Sequence, residues 1–210
     1  MKASTKNIKI ILLGCLAGLV GLYACGGQAQ VDNGFLSDYS KLEKNPKYAG
    51  SKTYFNPDTP VKNYSRFIVN PVQIRLSSLG KNRRTDPDKL QEISQYTHQQ
   101  FVSALQNGGY QVVTSPGPGT MIIRSALTEV APSDLQTRSF MMNVNLGGAS
   151  IEAEFIDALT GETIAEVMES QRGTKTKATK DTNEYSNARD VIDRWAQRLV
   201  KWVDKEHGKK

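Results

Sequence analysis

The chain has 210 residues, with 27 Lys and Arg against 21 Asp and Glu, a formal net charge of +6, two cysteines and two histidines. So few soft ligands exclude a Cys/His zinc centre, and a charge surplus this small is poor ground for a nucleic-acid partner. No cofactor is implied, and no repeat at a solenoid period interrupts what reads as one core plus a leader.

The first segment is basic, then apolar. Lys2, Lys6 and Lys9 precede a run from Ile10 to Ala24, and Leu22-Tyr23-Ala24-Cys25 closes it. A charged start, an apolar middle and a small residue before a cut make a signal peptide, and the run is short for a membrane span of roughly 20 residues. The final four residues resemble the bacterial lipobox. That resemblance implies diacylglyceryl transfer to the Cys25 sulfur, cleavage before it and acylation of the new amino end. Gly26 stands where an Asp would signal inner-membrane retention, so the same resemblance implies the outer membrane. Other readings stay open: the local match at Leu12-Leu13-Gly14-Cys15, a cut after Ala29 without lipid, or a retained anchor. Removing residues 1–24 takes away three lysines and no acid, leaving 24 basic against 21 acidic groups and Cys25 as the sole cysteine. A disulfide and a Cys nucleophile are then both excluded.

Residues 26–33 are small and polar, as a flexible tether requires. Gly34 to Leu42 carries Phe35, Leu36, Tyr39 and Leu42 and is expected to pack rather than float; Tyr48, Tyr54, Phe55 and Tyr64 extend that character among Pro46, Pro57 and Pro60. Phe67–Val69 and Val72–Leu76 read as strand, and residues 79–85 as loop. Asp86 or Thr85 caps a helix with Pro87 in its first turn, Leu90, Ile93, Thr97, Phe101, Ala104 and Leu105 form its apolar stripe, and Asn107-Gly108-Gly109 stops it. Strands follow at Tyr110–Thr114, Met121–Val130, Phe140–Leu146, from Ile151, and from Thr163 to Glu169, the last two joined by a turn over 157–162. After a polar loop over 172–183, Ala188, Val191, Ile192, Trp195, Ala196, Leu199, Trp202 and Val203 line one side of a final helix.

This order predicts an α+β fold: a mixed, mostly antiparallel sheet with two amphipathic helices packed on one face. The expected organisation is a signal peptide over 1–24, a lipidated tether and extended aromatic leader over 25–64, and a single periplasmic domain over 65–207. Gly34-Phe35-Leu36-Ser37-Asp38-Tyr39-Ser40-Lys41-Leu42, Tyr110-Gln111-Val112-Val113, Gly117-Pro118-Gly119-Thr120, Ala149 through Glu154, Thr160-Gly161-Glu162 and Trp195-Ala196 together resemble an uncharacterised family of bacterial lipoproteins, known as a domain of unknown function. The resemblance implies an envelope location and brings no activity with it. More loosely, the element order is similar to penicillin-binding-protein activator lipoproteins, the amino-terminal domain of the Tol-system propeller protein and the curli secretion lipoprotein, all of which bind proteins.

Catalytic constellations are missing, so no catalytic residue, metal ligand or enzyme activity is expected. His98 borders the apolar stripe and His207 belongs to a solvated basic tail. The Ser115–Gly119 turn lacks the Gly-Lys-Ser/Thr ending of a phosphate loop, and its prolines remove amide donors. Glu152 and Glu154 share one side of their strand, which reads as a solvated sheet face. Arg172, Lys175, Lys177 and Lys180 form a basic loop that can meet an anionic surface of lipid headgroups or cell-wall polymer. The expected function is a non-enzymatic outer-membrane lipoprotein, held to lipid by Cys25, that docks on an envelope protein through a sheet edge or the 34–64 segment. The alternative is a periplasmic domain binding a small molecule, lipid or glycan.

Overall fold

A computed structural model describes residues 34–82, 85–133, 146–173 and 183–209. In chain order the strands are β1 (Glu43–Lys44), β2 (Ser51–Phe55), β3 (Arg66–Val69), β4 (Gln73–Ile74), β5 (Gln111–Val112), β6 (Thr120–Ala131), β7 (Gly148–Asp157) and β8 (Thr163–Arg172). The helices are α1 (Ser78–Asn82), α2 (Pro87–Asn107) and α3 (Ser186–Glu206).

Period-two alternation builds the centre. Along β7, Ala149, Ile151, Ala153 and Phe155 face the main core, and the residues between them face the other way. The long strands β6, β7 and β8 pair antiparallel as neighbours, with a register shift in β6 between Leu127 and Glu129. The sheet runs β1-β2-β8-β7-β6-β3-β5, and β4 pairs with β6 beyond the end of β3. β3 and β4 are parallel to β6, and β5 is parallel to β3, while β1, β2, β8 and β7 are antiparallel. The chain leaves β3, traverses α2 and returns at β5, the parallel crossover that a helix of this length allows.

Both long helices bury their stripes on one face, as their spacing predicts. Asp86 caps α2 by accepting from the Asp88 N–H, Pro87 opens its first turn, and Gly108 ends it. On α3, Ala188, Val191, Ile192 and Val203 are fully enclosed with Leu105 and Phe67. The helices are also fastened to each other. Arg189 pairs with Glu92 and lies 4.4 Å from the Tyr96 ring centroid, while the Tyr96 hydroxyl donates to Asp193 at 2.6 Å.

Several expectations change. Residues 78–82, of which 79–82 are expected as loop, form one helical turn and a half against β6, too short for periodicity to reveal. The segment expected to be an extended leader is, from residue 34 on, part of the folded body: β1 and β2 extend the sheet beyond β8, and Val61 and Tyr64 lie in the main core. Most of the strand expected over Phe140–Leu146, with Met141 and Met142, lies outside the described residues. His207 is not a solvated tail residue. Its Nδ1 sits 2.8 Å from the Val203 carbonyl at the end of α3, and its ring packs against Tyr110.

Gly50 positions β2 on β8. Its φ is +79°, and a Cβ there would meet the Ser170 carbonyl oxygen at 2.5 Å. Gly161 has a similar φ of +74° with open space around it. Gly161→Ala should therefore cost about 1 kcal/mol of left-handed strain, and Gly50→Ala clearly more, about 2–3 kcal/mol. Urea midpoints of the two variants measure the difference; equal losses would show that close packing of β2 on β8 contributes nothing.

Candidate functional site

The sheet face that the helices leave uncovered holds, among the described residues, three buried carboxylates. Glu152 and Glu154 on β7 and Glu166 on β8 are each no more than 1% exposed. Glu154 lies directly opposite Glu166 in the strand register, and Glu152 opposite Met168. The solvated face expected from alternation is thus overturned, because residues 34–42 cross it as a strap.

The strap supplies donors where the carboxylates need them. Ser37 gives its backbone N–H and, at 2.6 Å, its hydroxyl to Glu154 Oε1. Asp38 N–H donates to Glu166 Oε1 at 3.2 Å. The Tyr39 hydroxyl donates to Glu152 Oε2 at 2.7 Å while accepting from the Phe35 and Leu36 amides at 3.0 and 3.3 Å. It ties the strap's own backbone to the sheet. Phe35 and Leu36 bury their side chains against Ala126 and Met168, a small apolar cluster separate from the main core. Asp38 turns the chain by capping a three-residue 3-10 turn, Tyr39–Lys41, from which the strap continues into β1.

Among the described residues, one cation reaches the buried carboxylates. Arg124 on β6 reaches Glu154 Oε2 at 2.8 Å and stands 5.5 Å from the Phe35 ring centroid. Three carboxylates facing one guanidinium cannot all be charged without cost. Burial first, then the Glu154 and Asp38 charges, push the Glu166 carboxyl above its ordinary value, although the Asp38 amide works against the shift. Burial and the neighbouring Glu152 push the Tyr39 phenol up to about 12, so it stays a donor at neutral pH.

The helix face carries its own buried carboxylate. Glu169 accepts from the Trp195 indole N–H at 2.9 Å and pairs with Arg198, whose guanidinium lies 4.6 Å from the Tyr48 ring centroid. Trp202 packs between Phe155 and Phe55. Both tryptophans serve the packing, as their spacing predicts.

The basic loop is placed in part. Arg172 is exposed at the end of β8, while Lys175, Lys177 and Lys180 lie outside the described residues, as does Cys25. Among the described residues no group of three or more His, Cys, Asp or Glu is arranged to hold a metal ion, and no helix is long and apolar enough to cross a membrane. Sequence reasoning found the strap and found Glu152 and Glu154, but did not join them. The signal was there: Ser37 and Tyr39 are hydroxyl donors in a segment anchored by Phe35, Leu36 and Leu42, and Glu152, Glu154 and Glu166 share one face.

An α+β sheet strapped at its amino-terminal side is the class this geometry defines. Residues 31–199 match the family described as protein of unknown function, DUF3313, and the chain belongs to that family. No curated protein matches it. Among solved structures it is similar to a DUF4136 family protein from Bacteroides thetaiotaomicron, with 11% identity, 75% of this chain and 96% of that one covered, and a TM-score of 0.44. It is also similar to the PelC dodecamer from Paraburkholderia phytofirmans (11% identity, 76% and 97% covered, TM-score 0.41) and to a minor lipoprotein from Acinetobacter baumannii (16%, 68% and 92%, TM-score 0.31). Likeness at this level carries no functional argument. The looser similarity to penicillin-binding-protein activators gains no support from these matches.

Two outcomes test the strap. Tyr39→Phe leaves two amides and one carboxylate without their shared hydroxyl and should cost about 1–3 kcal/mol by urea denaturation. Ser40→Ala, on the exposed side, should stay within about 0.5 kcal/mol. The second outcome is a pH slope. An acid with a raised folded-state pKa binds its proton more tightly when folded, so its contribution to stability falls as pH rises through and above its ordinary 4.5. Glu166→Gln keeps an oxygen for the Asp38 amide and removes the charge. It should raise the melting temperature at pH 7 and flatten the decline above pH 4.5. A variant that is less stable at pH 7 but matches the parent at pH 4 would contradict this.

Proposed function

We propose that this chain is a lipid-anchored protein of the bacterial outer membrane that docks on another envelope protein and catalyses no reaction. The basic start, the short apolar run and Leu22-Tyr23-Ala24-Cys25 support acylation at Cys25 and cleavage before it. The observation that carries the reading is that motif at the end of the apolar run; Gly34, the first described residue, lies nine positions beyond Cys25, and Phe35 and Leu36 just after it pack on the sheet. A domain built in that way hangs close to a bilayer on a short leash. One acyl chain holds a protein marginally, whereas two or more anchor it stably.

Docking is supported by what the sheet leaves open. The strap is engaged within its own chain, so it is not a free peptide for a partner. Among the described residues β4 pairs only with β6 and exposes Ile74, one of three large apolar side chains that stand out there, with Phe55 and Leu159. An unpaired edge with an apolar side chain is where a partner strand adds by main-chain hydrogen bonds. Arg172, with Lys175, Lys177 and Lys180, supplies contact to an anionic surface nearby.

Cys25→Ala should abolish acyl incorporation and leave the chain unprocessed or released, read by fractionation and intact mass. A mutant that still fractionates with the outer membrane would sink the anchor. Cross-linking of the anchored chain in cells should return one reproducible envelope protein, lost in Ile74→Asp. Recovery of the same set from both would overturn docking at this edge.

A further inference from the structure

We propose that the strap-bearing face of the sheet is the face turned toward the bilayer, where Lys44, Lys52 and Arg172 meet anionic lipid headgroups. The inference rests on the Cys25 anchor proposed above and adds an orientation to it.

The leash leaves the body on this face. Ser37, Asp38 and Tyr39 are pinned to Glu154, Glu166 and Glu152, which fixes where the described chain begins, at the exposed Gly34. Nine steps along the chain from Gly34 to Cys25 reach at most about 30 Å. The exit point therefore stays near the headgroups, and the face around it is the one they meet most often.

Charge points the same way. Ser51, Thr53 and Phe55 alternate toward the helix side, which puts Lys52 on the strap side of β2, opposite Met168 of the strap cluster. Lys44 is the direct cross-strand partner of Lys52 and shares its face. Like charges directly opposite are destabilising, and neither lysine has an ion-pair partner among the described residues. Arg172 lies two positions beyond Ser170, whose hydroxyl meets Ser150 on the strap side, so Arg172 faces that side too. These three positions fall on the outer half of the face, with β1 four strand spacings, about 19 Å, from β6.

Most acids of this face are withheld from the surface or matched. Glu152, Glu154 and Glu166 are sealed under the strap, Asp38 stands 3.4 Å from Lys41, and the half-buried Glu129, which accepts from the Ser150 hydroxyl, is one acid against the three bases Lys44, Lys52 and Arg172. The helix side instead interleaves its charges: Glu92 with Lys89 and Arg189, Asp190 with Arg194, and Asp204 with Lys209. The charge that the strap side presents outward is therefore basic. A pair of lysines that repel each other across two strands is relieved when an anion lies over both.

The test is amine-reactive footprinting of the purified acylated chain, reconstituted in vesicles of phosphatidylcholine alone or mixed with phosphatidylglycerol. With phosphatidylglycerol, labelling of Lys44 and Lys52 should fall several-fold and recover at high salt, while Lys89 and Lys201 on the helices stay unchanged. Arg172→Gln should weaken the protection by up to about fivefold. The same spectra report the mass at Cys25. An unmodified Cys25 overturns the anchor and this orientation with it. An acylated Cys25 with even labelling, or with protection on the helix side, overturns the orientation alone.

Discussion

Three buried glutamates sit on the sheet face that the helices do not cover, and the path of the chain before β3 follows from their burial. A carboxylate taken out of water costs several kcal/mol unless hydrogen bonds and opposite charge replace the lost hydration. Arg124 meets one oxygen of Glu154; the strap meets much of the rest, through two backbone amides and two hydroxyls. The Tyr39 hydroxyl is the most consequential of these donors. By accepting two amides it becomes a better donor to Glu152, so the strap's fold and its attachment reinforce each other. Sequence at Ser37 and Tyr39 therefore matters for its hydroxyls, and at Phe35 and Leu36 for apolar area.

The same segment is fastened on the other side of the sheet. Beyond the strap, the chain forms β1, rounds the turn to β2 and places Tyr48 under Arg198 and Phe55 against Trp202, both on α3. Arg198 in turn pairs with Glu169, which holds the Trp195 indole. The amino-terminal segment thus wraps the β8 side of the sheet and is held from both faces.

The helices were legible because their information is local. Asp86, Pro87 and the Asn107-Gly108-Gly109 stop bound α2, and the α3 stripe matches its buried residues through Val203. β7 was legible as a strand for the same reason. Its far face was misread because alternation says which side chains share a side and not whether that side is covered. The covering residues lie 113 to 128 positions away in sequence, and no period reports a contact of that separation. α1 escaped notice because five residues cannot show a helical period. Cys25 depends on a signal rather than on packing, so the fold neither strengthens nor weakens it.

Residue-resolved hydrogen exchange at the Ser37 and Asp38 amides addresses the strap directly. If buried carboxylates hold it, both amides exchange at rates near those of β7 and β8, and Ser37 loses its protection in Glu154→Ala while the sheet keeps its own. Exchange of Ser37 and Asp38 at the rate of an unprotected chain, beside fully protected β7 and β8, would contradict the account.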